Sequence, residues 1–241
     1  PRSTPLYSSA ASDVYKRQTM DFILKDPNLG AYLAKTTTGL CFPCLEAEFD
    51  RLEFVTEFNR GTAWLGEPGL NYHYTGRDHI AKDLSDFEML SDFTDIARRN
   101  AIEMGFNPKE LPLFNHLLIN RYIGTQKLAM HKDDEPELIG PIASLSIGAS
   151  APFYYGDQSV EVSQGDFLIG NRNFFTKLKH GVGSPTPARV ESCGYDEETS
   201  GPIYPYARYN LTWRTIAPEL TQVQREQQEA KWADCMPLEL L

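Results

Sequence analysis

Three side chains with the makings of a metal site stand out: His131 and Asp133, two residues apart, and His180 further along the chain. A non-haem iron that must bind both an oxidant and a co-substrate needs two imidazoles and one carboxylate on one side, with open positions on the other. Residues 207–215 carry Arg208, Asn210, Thr212 and Arg214 at one parity, and Asn120 and Tyr122 are also two apart. Period two places such residues on one face of a strand. An oxoacid chelating iron keeps a second carboxylate, which the planar, permanently charged fork of arginine holds bidentately where lysine would not. Arg208 or Arg214 is the natural holder, so the inventory is that of an iron site beside an anchored dicarboxylate.

The elements come in a definite order: Asn120-Arg121-Tyr122, His131-Lys132-Asp133-Asp134-Glu135-Pro136, residues 141–148, His180, and the run from Arg208 to Arg214. Over residues 59–216 the chain thereby resembles the AlkB family of Fe(II)- and 2-oxoglutarate-dependent dealkylating dioxygenases. The resemblance implies an α+β fold, a double-stranded β-helix (jelly-roll) core with flanking helices. It implies His131, Asp133 and His180 as catalytic iron ligands, and Asn120 and Arg214 at the iron-proximal end of 2-oxoglutarate. Tyr122 and Arg208, with Asn210, would hold the far carboxylate, and Thr212 would line the same pocket. The implied reaction oxidises a methyl group on a ring nitrogen and releases formaldehyde and the repaired base, while 2-oxoglutarate and O2 give succinate and carbon dioxide.

Alkylating the pairing edge of adenine or cytosine, as in 1-methyladenine and 3-methylcytosine, leaves a cationic, unpaired base that is cheap to flip from a stack. Such a base calls for an aromatic sandwich and a carboxylate. Tyr72, His73 and Tyr74 lie in a Gly-bounded aromatic run, residues 69–76, that looks like the family's nucleotide-recognition lid. The two tyrosines share a face; a half-buried strand with core tyrosines is the structural alternative. Tyr72 or Tyr74 on one side, His131 on the other and Asp134 just past the metal ligands make the expected substrate contacts. The Asp133-Asp134-Glu135 spelling is closer to the animal members than to the bacterial type protein. Residues 52–58 show no clear version of the apolar finger used by members that probe duplex DNA, which leans toward single-stranded DNA or RNA as partner. The alternative is the same oxygenase chemistry on a protein side chain or small metabolite, which leaves Tyr72, Tyr74 and Asp134 without a base to hold.

A chain of 241 residues, 41% hydrophobic, suits one β-rich domain able to bury a full core. The net charge of -10 excludes nucleic-acid affinity drawn from a globally basic surface, although a local basic groove stays open. Cys41, Cys44, Cys193 and Cys235 do not read as a disulfide framework; Cys41 and Cys44 have zinc-knuckle spacing but no second pair, so all four are taken as reduced thiols. No apolar run is long enough to span a bilayer and no leader is evident, so the expectation is a soluble, monomeric, cytoplasmic protein of microbial or phage source. Residues 1–18 precede the first methionine, Met20, and resemble translated sequencing adapter. They are set aside, leaving 19–241 as the domain, with a core at 59–216 and a polar tail at 217–241.

The elements that must position these residues are legible to different degrees. Residues 20–59 suggest one or two flanking helices. Ser85 to Glu88 spells a capping box, and Phe87, Leu90, Phe93, Ile96, Ala97, Ala101 and Met104 recur at helical spacing up to Gly105. Residues 142–147, 153–155 and 167–169 read as strands, 184–206 as a long connection, and the tail as a marginal surface helix.

Overall fold

The computed structural model describes residues 22–26, 30–35, 45, 48–74, 77–108, 111–186 and 207–217. The major sheet takes, in chain order, β1 (Phe22–Asp26), β2 (Ala31–Lys35), β3 (Val55–Glu57), β4 (Arg60–Gly66), β7 (Lys82–Asp83), β8 (His116–Ile123), β10 (Leu138–Gly148), β13 (Asp166–Gly170) and β15 (Ala207–Ile216). Its hydrogen-bonded order is β1-β2-β13-β10-β15-β8-β4-β3, with β7 parallel to β4. A second sheet runs β12 (Gln158–Val162), β11 (Ala151–Tyr155), β14 (His180–Val182), β9 (Leu128–His131). A separate hairpin pairs β5 (Asn71–Tyr74) with β6 (Arg77–Ile80). The strand-rich architecture is that of a jelly-roll core, with the two main sheets enclosing a shared interior.

Alternation along the central strands sorts their residues between two cores. Ala63 and Leu65 of β4, Leu117 and Ile119 of β8, and Leu211 and Trp213 of β15 belong to an outer cluster covered by α1 (Glu88–Glu103). From the helix Leu90, Phe93, Ala97 and Ala101 pack into it, and Trp213 Nε1 donates to Thr94 Oγ1 at 2.9 Å. Truncating a buried tryptophan such as Trp213 costs about 3–5 kcal/mol, so this contact is a main fastener of helix to sheet. The opposite parity faces the second sheet. Trp64 and Leu118 meet Phe153, Tyr155 and Val182 in an inner cluster, and the polar residues of the same parity share that interior.

Local chemistry explains the departures from the sequence reading. Residues 22–26 form a strand and not a helix, and β2 is buried from Ala31 to Ala34 because Tyr32 and Ala34 enter the outer cluster while Ala31 and Leu33 enter the inner one. A strand buried on both faces is a continuous apolar run, which periodicity does not separate from a helix. Helical backbone appears at Leu45 and residues 48–50, and the chain is extended again by Val55. The predicted helix runs from Glu88, but its capping box does not form. Asp83 instead accepts from the Ser85 amide at 2.9 Å and from Ser85 Oγ at 2.7 Å, which nucleates a 3-10 turn at Leu84–Asp86. Ser85 lies inside that turn and not at the start of the main helix, whose N-cap Phe87 has no side-chain bond. Residues 187–206, the polar tail beyond 217 and all four cysteines lie outside the described residues. Among the described residues, no helix is long and apolar enough to cross a membrane.

Candidate metal centre and its pocket

His131 ends β9, His180 opens β14, and antiparallel pairing sets the two opposite one another. Their rings lie 4.3 Å apart at 52°. Nδ1 of His131 is 2.9 Å from the Ala129 carbonyl, and Nδ1 of His180 is 3.4 Å from the Leu178 carbonyl. A carbonyl at Nδ1 calls for the N–H there and leaves the Nε2 lone pair for a metal. Asp133 follows the strand end, and its amide donates to the Phe175 carbonyl at 3.0 Å on the short helix α2 (Arg172–Lys177). That bond swings the carboxylate beneath the imidazoles: Oδ1 is 3.3 Å from His131 Nε2 and Oδ2 is 3.7 Å from His180 Nε2. One donor atom from each residue lies within 4.8 Å of the other two, which is the span of one face of a metal's coordination shell.

Electrostatics ready these groups for a cation. Burial pushes the Asp133 carboxyl up, but Arg214, the His131 hydrogen bond and the His180 charge together outweigh it and hold the acid well below the usual range. Burial is also the main force on His180, bringing it down to about 4, against which the Asp133 charge works. At neutral pH the set is therefore one carboxylate and an unprotonated, metal-ready His180.

Registry then builds the pocket wall. β15 pairs with β8 so that Asn210 faces Asn120 and Arg208 faces Tyr122, while Ser146 of β10 faces Asn210 on the other side. Asn120, Tyr122, Arg208, Asn210, Thr212 and Arg214 are all buried. Arg214 Nη2 stands 3.5 Å from Asp133 Oδ2, at the metal end. Arg208 lies further along the same face, with Nη2 donating to Ser146 Oγ at 3.0 Å and its guanidinium carbon 5.5 Å from the Tyr122 ring. Its Nε and Nη1 are buried without a hydrogen-bond partner. A buried guanidinium with two idle donors is costly unless an anion arrives, and a carboxylate matches the fork. The donor set therefore fits both groups implied by the sequence, a divalent iron and a dicarboxylate. Asn210 Nδ2 donates to Ser144 Oγ at 2.6 Å and Thr212 Oγ1 to Asn210 Oδ1 at 2.7 Å, so both belong to one wall network.

The substrate side differs in detail from the sequence reading. Tyr72 is fully buried under the β5–β6 hairpin, with its ring 5.5 Å from Trp64 and 5.5 Å from His116. His73 and Tyr74 lie on the same strand, but their side chains are outside the described residues. Asp134 is exposed. Its neighbour Glu135 is the carboxylate turned inward, facing the Tyr72 hydroxyl, with its acid pushed up chiefly by burial while Arg214 opposes. Adjacent acids in one loop carry no sequence signal for which one points in. Trp64, His116 and Arg60 sit on the interior parity of β4 and β8, and only the strand pairing brings those positions to the pocket side.

A family model described as the 2OG-Fe(II) oxygenase superfamily matches residues 48–214. The protein named alpha-ketoglutarate-dependent dioxygenase AlkB from Salmonella typhimurium (strain LT2) is 33% identical over 135 residues, covering 52% of this chain and 55% of the relative. The Escherichia coli (strain K12) protein of the same name is 32% identical over 136 residues, with the same coverage of 52% and 55%. The chain thus spans about half the length of the curated relatives it matches. The solved structure of OsALKBH1 superposes with a TM-score of 0.53 at 24% identity, covering 77% of this chain and 98% of that one, which supports the shared fold. The family match spans more than half of the chain, which therefore belongs to the 2OG-Fe(II) oxygenase superfamily, with AlkB-type dioxygenases among its relatives.

Proposed function

We propose that this chain is a dioxygenase that removes alkyl groups from N-alkylated bases, such as 1-methyladenine and 3-methylcytosine, in single-stranded DNA or RNA. The observation that carries the proposal is the inward pair Tyr72 and Glu135 beside the His131, Asp133 and His180 cluster. An aromatic face with a half-buried carboxylate is what a cationic base requires, and a neutral side chain or metabolite gains little from it. The name of the AlkB relatives supports the oxygenase half.

In this reading His131, Asp133 and His180 hold iron(II), and Asn120 and Arg214 take the near end of 2-oxoglutarate. Tyr122, Arg208 and Asn210 take its far carboxylate, and Thr212 keeps the Asn210 amide in place. Bound iron with 2-oxoglutarate supplies the oxidising chemistry: one atom of O2 goes to succinate and the other to the methyl carbon, with loss of carbon dioxide. The hydroxymethyl group then leaves the ring nitrogen as formaldehyde, and the nitrogen keeps the electron pair. Tyr72 and the His131 ring bracket the base, Glu135 faces its positive charge, and Asp134 stands at the rim. Tyr72 and Trp64 also exclude water from the reacting carbon.

The test is succinate release from Fe(II), O2 and 2-oxoglutarate with a short oligonucleotide. Strong stimulation by a strand carrying 1-methyladenine, and none by the unmethylated strand, is the expected result. Equal release with both strands, alongside stimulation by a peptide or small metabolite, would replace base repair with hydroxylation of that substrate.

A further inference from the structure

Arg60, the first residue of β4, is 1% exposed, and neither the metal ligands nor the two pocket arginines account for its burial. Its Nε donates to Asn120 Oδ1 at 2.6 Å, and its Nη1 is buried with no hydrogen-bond partner. β4 pairs with β8 through Gly61 and Arg121, so Arg60 comes one step further along, level with Tyr122, which itself faces Arg208. A guanidinium, a phenol and a second guanidinium thus lie in a row across three neighbouring strands, on the face that carries Asn120 and Asn210. The acid near Arg60 in the chain, Glu57, is engaged elsewhere, its Oε1 accepting from Thr62 Oγ1 at 2.7 Å.

An asparagine amide has one accepting oxygen and one donating NH2, and the two ends are nearly the same shape. Unconstrained, the Asn120 amide would sample both orientations before the cosubstrate arrives, and the one with its oxygen toward the pocket repels a carboxylate. With Arg60 gripping the oxygen, the NH2 is the end left for the pocket. On the strength of the cosubstrate placement above, we propose that Arg60 is a positioning residue for 2-oxoglutarate: it locks the Asn120 amide with its donors toward the cosubstrate.

The experiment loads Arg60→Met, Arg60→Lys, Asn120→Ala, the Arg60→Met/Asn120→Ala double variant and Arg208→Ala with Mn(II), and titrates 2-oxoglutarate calorimetrically, with thermal melts and steady-state kinetics alongside. Arg60→Met should weaken 2-oxoglutarate binding about tenfold or more, the loss of one charge-assisted contact, while Mn(II) affinity stays within about twofold. KM for 2-oxoglutarate should rise in parallel with kcat nearly kept, Arg60→Lys should fall between, and the double variant should lose little more than Asn120→Ala. A 2-oxoglutarate affinity unchanged in Arg60→Met, with only the melting temperature lowered, would overturn the proposal by reducing Arg60 to a structural ion. So would losses that simply multiply in the double variant. Should Arg60→Met fail to fold, Arg60→Lys decides: it keeps the charge but not the fork, and an affinity equal to the parent's would refute the positioning role. Arg208→Ala separates this from the wider placement: if it and Asn120→Ala both still bind 2-oxoglutarate normally, the pocket itself is misassigned.

Discussion

Asp133 carries two tasks at once, as a third donor for the metal and as counter-ion to Arg214, 3.5 Å away. Removing it takes away a ligand and also the carboxylate 3.5 Å from a buried guanidinium. Asp133→Ala is therefore expected to abolish iron-dependent turnover and Mn(II) binding in a metal titration, and to lower stability as well. The two acids after it should separate cleanly. Glu135 is turned toward Tyr72 and Asp134 is exposed. Glu135→Gln should spare uncoupled 2-oxoglutarate consumption but cut kcat/KM for a methylated strand about tenfold, the scale of one charge contact. Asp134→Ala should stay within about threefold of the parent. The reverse ranking in the same oligonucleotide assay would move base recognition to the rim.

At the scale of the elements, the β3–β4 turn is the place where backbone and side chain conflict. Phe58 and Asn59 have φ of 47° and 62°, a two-residue hairpin turn with both central residues left-handed. Asparagine suits that region and phenylalanine does not. The Phe58 ring is 43% exposed. Phe58→Gly should raise stability by about 1 kcal/mol, seen as a higher urea midpoint at unchanged m-value. An unchanged or lower midpoint would mean that the ring's place beside Arg60, 5.8 Å from its guanidinium, outweighs the strain.

Across the whole molecule, the buried histidines set the response to acid. His116 is fully enclosed, and its pKa falls well below the ordinary 6.5, first through burial and then through Arg214 and His79. The unfolded chain therefore binds a proton that the native one refuses. Stability is intact above pH 6.5 and falls as the pH drops below it, by up to about 1.4 kcal/mol per unit for one such group. His116→Phe, an aromatic for an aromatic beside Trp64 and Tyr72, should flatten the decline between pH 7 and 5 in urea titrations of the metal-free protein. A slope identical to the parent's would assign the acid sensitivity to other groups.

Residues two apart on a strand share a face whatever the rest of the chain does. That local rule makes Asn120 with Tyr122, and the four polar residues of β15, legible as a functional wall from their own segments alone. The helix Glu88–Glu103 is legible for the same reason, a period written within one segment. Local rules fail where the deciding contact is remote. Arg60 meets Asn120 across 60 residues, and the two faces of β2 are buried by clusters drawn from distant parts of the chain. The sequence by itself determined the kinds of donor and their spacing along each strand. Which strands lie side by side was decided by tertiary structure, because burial on both faces of a sheet selects a register that no single segment encodes; so was the inward turn of Glu135 rather than Asp134, in a loop held by remote contacts such as Arg172 Nη2 to the Glu135 carbonyl.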